Sequence, residues 1–144
     1  MVHLLDVNVL VALFDPAHLH HDVAHAWFAT VRGAGWATCP ITENGLLRVL
    51  SNPAYPGRRT TVADAADRLR RFQTSGGHEF WPDDVSLLDP GRVETAHLSG
   101  YRELTDAYLL ALAVRRTGRL ATFDRGVRLA AVLGATPSHV CLVG

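Results

Sequence analysis

The chain contains no lysine: all 14 of its basic residues are arginine, and 14 acidic residues balance them to a formal net charge of +0. The missing lysine excludes chemistry that depends on one, including P-loop nucleotide hydrolysis, Schiff-base catalysis and the phospho-receiver design with its lysine beside an acidic pocket. The missing net charge excludes a protein-wide basic field, so any nucleic-acid contact has to come from local arginine patches. Cysteine is scarce. Cys39 and Cys141 stand far apart among apolar neighbours, form no CxxC or zinc-ligand spacing, and read as small core residues in a reducing compartment. No apolar run approaches the ~20 residues that cross a bilayer. The N-terminus, Met1-Val2-His3 with an acid at Asp6, lacks the basic region of a signal peptide. No membrane association and a cytoplasmic location are expected. No GxGxxG follows the first strand candidate, which excludes dinucleotide binding of the usual kind.

What is present is enough for one domain over residues 1–144: 144 residues, 48% of them hydrophobic, with no internal repeat or dividing linker. Short apolar runs alternate with longer helical ones. Leu4-Leu5 ends a strand at Asp6, and Val7 to Phe14 reads as an apolar helix stopping before Asp15-Pro16. His20 to Val31 reads as an amphipathic helix with Val23, Trp27 and Val31 on one face. Trp36 to Thr38 is a strand candidate, followed by a helix with Pro40 in its first turn that carries Glu43, Leu46, Leu47 and Leu50. After a polar loop from Ser51 to Arg59, Thr60 or Thr61 caps a helix with Val62, Ala65, Leu69 and Phe72 on its core face. Gly76-Gly77 ends it, and Glu79 to Trp81 is a third strand candidate. Gly91 to Leu98 and Val127 to Leu133 read as short helices, Ala107 to Val114 as a buried one after Thr105, and Arg119 to Phe123 and Val140 to Val143 as strands. This alternation predicts an α/β fold, a central parallel sheet covered by helices on both faces. Working sites in such sheets lie at the carboxyl ends of the strands.

Four acids fall where they can reach that edge. Asp6 and Asp124 close strands; Glu43 and Asp106 sit in first helical turns. Singly, each has an ordinary role as a cap, a dipole complement or a turn residue. Together they repel one another, and such a cluster calls for a compensating cation. No arginine adjoins Asp6 or Asp106 in sequence, whereas Arg125 follows Asp124. A hard divalent ion, Mg²⁺ with Mn²⁺ as a substitute, matches an all-oxygen site, held by Asp6, Asp106 and Asp124. The chemistry this arrangement suits is phosphodiester hydrolysis by an activated water. Asn8 and Thr122 stand among apolar positions and need partners, which makes them candidates to orient the acids.

Other features have plainer readings. His18, His20, His21 and His25 form a run in which His21 and His25 share a helix face, but no cysteine or second acid completes a metal site, and an exposed helix start is the simpler account. Arg58, Arg59, Arg68 and Arg71 are candidate contacts to RNA phosphates, or else a solvated helix face with its preceding loop. Tyr55 reads as a loop residue able to stack on a base, Asp83-Asp84 as a turn, and Trp27, Trp36 and Trp81 as core or dimer-interface residues.

The segments Leu5-Asp6-Val7-Asn8-Val9-Leu10-Val11-Ala12-Leu13, Thr42-Glu43, Leu104-Thr105-Asp106-Ala107 and Leu120-Ala121-Thr122-Phe123-Asp124 occur in an order and spacing that resembles the PIN-domain ribonucleases, most closely the VapC toxins of bacterial type II toxin–antitoxin systems. The resemblance covers nearly the whole chain. It implies a three-layer α/β/α PIN-like fold and a metal-dependent endoribonuclease with Asp6, Glu43, Asp106 and Asp124 as the acidic site, supported by Asn8 and Thr122. It further implies a homodimer restrained by a cognate antitoxin. Two other readings remain to be weighed. An aspartyl-phosphate phosphatase is excluded, because Asn8 stands where its proton donor belongs and its lysine is missing. A non-catalytic module that binds metal and RNA or protein stays open; only the intact set of four acids argues against it.

Overall fold

Leu4 and Leu5 are consecutive, point to opposite faces of one strand, and are both completely buried. That requires apolar layers on both sides of the sheet, as in parallel sheets built from crossover connections. The computed structural model describes residues 1–144. Its elements are β1 (His3–Leu5), α1 (Val7–Phe14), α2 (His21–Val31), β2 (Trp36–Thr38), α3 (Pro40–Ser51), α4 (Val62–Gln73), β3 (His78–Phe80), α5 (Leu104–Arg115), β4 (Arg119–Thr122) and β5 (Val140–Leu142). All strand pairs are parallel, in the order β3-β2-β1-β4-β5. Alternate strand residues feed two cores. Leu5, Trp36 and Ala121 pack under α1, α2, α3 and α4. Leu4, Ala37 and Leu120 pack under α5. The result is the expected three-layer α/β/α arrangement.

The carboxyl end of α1 shows how completely its backbone is satisfied. A helix leaves its last carbonyls without intrahelical partners. Here Asp15 N–H reaches the Val11 carbonyl, His21 Nδ1 lies 2.7 Å from that of Ala12, and His25 Nε2 lies 2.8 Å from that of Leu13. Arg68, from α4, donates to the Phe14 carbonyl and lays its guanidinium over the Phe14 ring. Two histidines of the run therefore tie α2 to α1.

The structure departs from the sequence expectations in four places. The third strand is shifted by one residue, to His78–Phe80. The segments 91–98 and 127–133 are not helices. Each holds one 3-10 turn, Thr95–His97 and Leu129–Ala131, and the two buried valines Val93 and Val132 pair as an antiparallel bridge. The bridge satisfies backbone groups that must be buried with those side chains, and short segments gain little by nucleating a helix instead. In α2 the buried face is Ala24 and Phe28, while Val23 is 42% exposed. Phe28 turns inward because it meets Trp36 edge to face at 5.4 Å.

Helices α1 and α3 approach closely at Gly45, where an added Cβ would lie 2.4 Å from Val7 Cγ2. Val7 is β-branched and cannot swing aside. Gly45→Ala should lower stability by about 1–3 kcal/mol, read from the denaturant midpoint. Val7→Ala in the same chain should recover most of the loss; an equal loss in the double variant would show that this contact does not set the packing.

Candidate active site

The strand order reverses between β1 and β4, because the chain leaves β1 to build β2 and β3 on one side and returns to build β4 and β5 on the other. Connections then depart in opposite directions and open a crevice at the carboxyl ends of these two strands. Asp6 follows β1 directly and Asp124 stands two residues after β4. Asp106 reaches the same crevice from the first turn of α5. The three aspartates line one pocket of ≈ 460 Å³ together with Asn8, Val11, His18, Val49 and Arg102.

Asp6 is the fixed member. It is 7% exposed and caps α1, with Oδ1 accepting the Val7 N–H at 2.7 Å. Its Oδ2 accepts the Thr122 hydroxyl at 2.7 Å, and the Asp6 N–H bonds to the Ala121 carbonyl at 3.0 Å. Thr122 is fully buried and turns its oxygen both ways, also accepting the Asp124 N–H at 3.0 Å. One hydroxyl thus sets two carboxylates against each other. Burial holds the Asp6 carboxyl above its ordinary pKa, despite the bonds from Thr122 and Val7 that favour its ionised form; the Asp124 charge adds to the rise.

Asp106 and Asp124 share a hydrogen bond, and they shift in opposite directions. Burial raises the pKa of Asp106, as do its bond to Asp124 and the charges of Asp6 and Asp124. Asp124 is exposed and lowered, chiefly because it accepts from Asp106 and then from the Gly126 N–H. The opposite shifts favour one proton held by the pair at neutral pH, on the Asp106 side.

The fourth acid is elsewhere. Glu43 does not line the pocket. Its Oε2 accepts the Thr38 hydroxyl at 2.7 Å and the Gln73 side-chain amide at 2.9 Å, and Thr38 is also 2.8 Å from His78 Nε2. The expectation that four acids converge thus holds for three, because β2 and α4 offer Glu43 two neutral donors away from the aspartates. The pocket also contains residues that the sequence reading passed over. Arg102, four residues before Asp106, brings to the wall the cation that no sequence neighbour of Asp6 supplies, and it forms no ion pair. Its i−4 spacing from Asp106 was the available signal. His18 is also on the wall. Its Nδ1 accepts the His20 N–H at 3.0 Å, so the neutral ring carries its proton on Nε2.

Thr122 and Asn8 fall where expected, in bonding distance of Asp6 and on the pocket wall. Asn8 Oδ1 is buried and bonded to no protein atom, which is rare for such an atom and marks a place for a ligand or its water. Three carboxylates and this carbonyl oxygen form a hard donor set that fits a divalent cation held by one or two carboxylates and otherwise through water. No three acidic, histidine or cysteine side chains are gathered closely enough to form a ready-made cage. Arg58, Arg59, Arg68 and Arg71 line a different cleft, beyond the end of α1.

Residues 3–133 match the family model of the PIN domain. Among curated proteins, Ribonuclease VapC44 of Mycobacterium tuberculosis is 48% identical over 137 residues, 95% of this chain and 96% of the relative. Ribonuclease VapC39 of the same organism is 45% identical over 134 residues, 93% and 96% of the two chains. Among solved structures, the crystal structure of VapBC2 from Rickettsia felis bound to a DNA fragment from their promoter matches with a TM-score of 0.59, over 88% of this chain and 90% of that one. At 13% identity, that match is a likeness of fold.

The crowding has a consequence for stability. A carboxyl whose folded pKa is raised costs stability as pH climbs from its unfolded value, about 4, and the full cost is present above the folded value. Asp106→Asn removes that cost and keeps a donor toward Asp124. The metal-free variant should melt a few degrees above wild type at neutral pH, with the difference vanishing near pH 4, in thermal melts with EDTA. A variant melting well below wild type at neutral pH would contradict the crowding.

Proposed function

Because the chain belongs to the PIN-domain family, in its VapC ribonuclease branch, we propose that it is a metal-dependent endoribonuclease and the toxin of a type II toxin–antitoxin pair. The observation that carries the reading is the convergence of Asp6, Asp106 and Asp124 on one crevice, with the unpartnered Asn8 carbonyl in its wall. Binding alone does not require carboxylates crowded at this cost. RNA as substrate is supported by the names of the relatives, and an antitoxin partner by the VapBC composition of the structural neighbour. A homodimer follows from the family resemblance. The reading places the protein in the cytoplasm, and no helix is long and apolar enough to cross a membrane.

In this mechanism Asp6 would hold the ion, Mg²⁺ or Mn²⁺, since Thr122 and Val7 fix both its oxygens in place. Asp106 would release to solvent the proton it shares with Asp124 and supply the second carboxylate. When bound, the cation supplies positive charge to the scissile phosphate and eases ionisation of the attacking water. Asp124, at the exposed mouth, accepts the proton of that water as the new phosphorus–oxygen bond forms and the leaving oxygen departs. Arg102 and the Nε2–H of His18 stand on the wall as donors to phosphate oxygens. Glu43 holds β2 and α4 together through Thr38 and Gln73.

The test is cleavage of total bacterial RNA by the purified protein with Mg²⁺, Mn²⁺ or EDTA. Wild type should give discrete, metal-dependent fragments, and Asp6→Asn should lose roughly a hundredfold or more in rate. Cation binding that Asp6→Asn abolishes, with no RNA cut by either protein, would favour a binding module instead.

A further inference from the structure

The acidic crevice is not the molecule's only cleft, and a second one is about twice its volume. A cleft of ≈ 990 Å³ opens beyond the carboxyl end of α1, walled by the loop after α3 and by one face of α4. Five arginines line it, against Asp15, Asp64 and Asp67. Two of the acids have partners. Asp15 accepts the Tyr55 hydroxyl, and Asp67 pairs with Arg70 at 2.7 Å. Arg68 is committed to the end of α1, so it builds the wall. Arg58, Arg59 and Arg71 are exposed and form no ion pair; with Arg68 they are four cations against the charges of Asp15 and Asp64, an excess of two. In a chain with no net charge, this is a concentrated positive site.

Two relations tie this cleft to the acidic crevice. The linings adjoin in sequence on three segments: Val11 with Phe14 and Asp15 on α1, Val49 with Leu50 on α3, and His18 with Ala17 in the turn after α1. And α1 joins them physically, with Asp6 as its first cap and Asp15 as its last. Nine residues of helix span ~13 Å, within reach of a few nucleotides of one strand.

We propose that the arginine cleft is a second subsite of the enzyme, which grips backbone phosphates of a single-stranded RNA segment a few nucleotides from the bond that is cut. The proposal rests on the ribonuclease reading above. The acidic crevice repels phosphate, so affinity has to come from outside it, and phosphate contacts are what supply it. Arginine forks suit phosphate oxygens. Tyr55, whose ring lines the cleft with its hydroxyl tied to Asp15, offers a surface for an unpaired base to stack on, which selects a single strand over a duplex. Arg58 and Arg59 grip the strand from the loop, and Arg71 from α4.

The experiment measures binding apart from catalysis. A labelled single-stranded RNA of mixed sequence is titrated with the full chain in EDTA across a salt series. Arg58→Gln/Arg59→Gln is compared with Arg115→Gln/Arg116→Gln, which removes the same charge from the far end of α5. Arg71→Gln provides a cleft variant outside the loop, and melting temperatures check that all variants fold. The cleft double variant should lose about tenfold in affinity, and its log–log salt slope should flatten by about 1.4, or ~0.7 per phosphate contact. The control should bind as wild type does. Equal losses in both double variants would reduce the effect to net charge and overturn the proposal. So would normal RNA binding by the cleft variants, and if these variants then failed to bind a co-expressed antitoxin, the cleft would belong to a protein partner. Wild-type cleavage with Mg²⁺ alongside unchanged cleft-variant binding would sink the subsite and leave the ribonuclease reading standing. Wild type that neither binds nor cuts RNA would sink both.

Discussion

The hydroxyl of Thr122 ties the ends of the two central strands together at the one place where the sheet parts. It donates to Asp6 at the end of β1 and accepts the backbone of Asp124 just beyond β4. The topology makes this position empty of backbone, and the sequence fills its rim with carboxylates. Two strongly apolar layers pay for that arrangement: both central strands are fully buried in their inner residues, α1 is buried from Val9 to Phe14, and α5 from Ala107 to Ala113. Repulsion at the rim is tolerated because the cores on either side hold β1 and β4 in register. In the metal-free protein it is partly relieved by one proton between Asp106 and Asp124.

Charge in this chain is partitioned by location. Asp6, Asp106 and Asp124 gather at the crevice, while Arg58, Arg59 and Arg71, outside any ion pair, stand beyond the far end of α1. Other arginines are used up as structure. Arg115 and Arg116 hold Asp84 at 3.1 and 2.9 Å, and Arg68 closes the end of α1. A composition of 14 basic and 14 acidic residues therefore contains two local concentrations of opposite charge.

Much of this was legible in the residues. The consecutive apolar residues Leu4-Leu5 and Leu120-Ala121, the apolar run of α5 and the acids at strand ends point to a parallel sheet with a site at its carboxyl edge, and the structure has both. Asn8 and Thr122 were singled out as polar residues needing partners; Thr122 has two, and Asn8 lacks one in a place that matters. What could not be read depends on side-chain direction and on long-range pairing. Glu43 has a site-like position in the chain, but Thr38 and Gln73, 5 and 30 residues away, take its carboxylate. Nothing local to Val93 announces that it will pair with Val132, so both surroundings were read as helices. The histidine run looked like a metal motif or an exposed tract, and its function as a partner for the α1 carbonyls depends on how α2 folds back.

The account rests on the claim that the crowded carboxylates exist to hold a cation, so that the cation relieves a strain the protein carries without it. Melting temperature against Mn²⁺ concentration tests this directly, since a ligand that binds only the folded state raises stability with the logarithm of its concentration above Kd. Wild type should melt progressively higher as Mn²⁺ is added at neutral pH, while Asp6→Asn should show no rise over the same range. Identical melting of wild type with and without Mn²⁺, or an equal rise in Asp6→Asn, would contradict the claim.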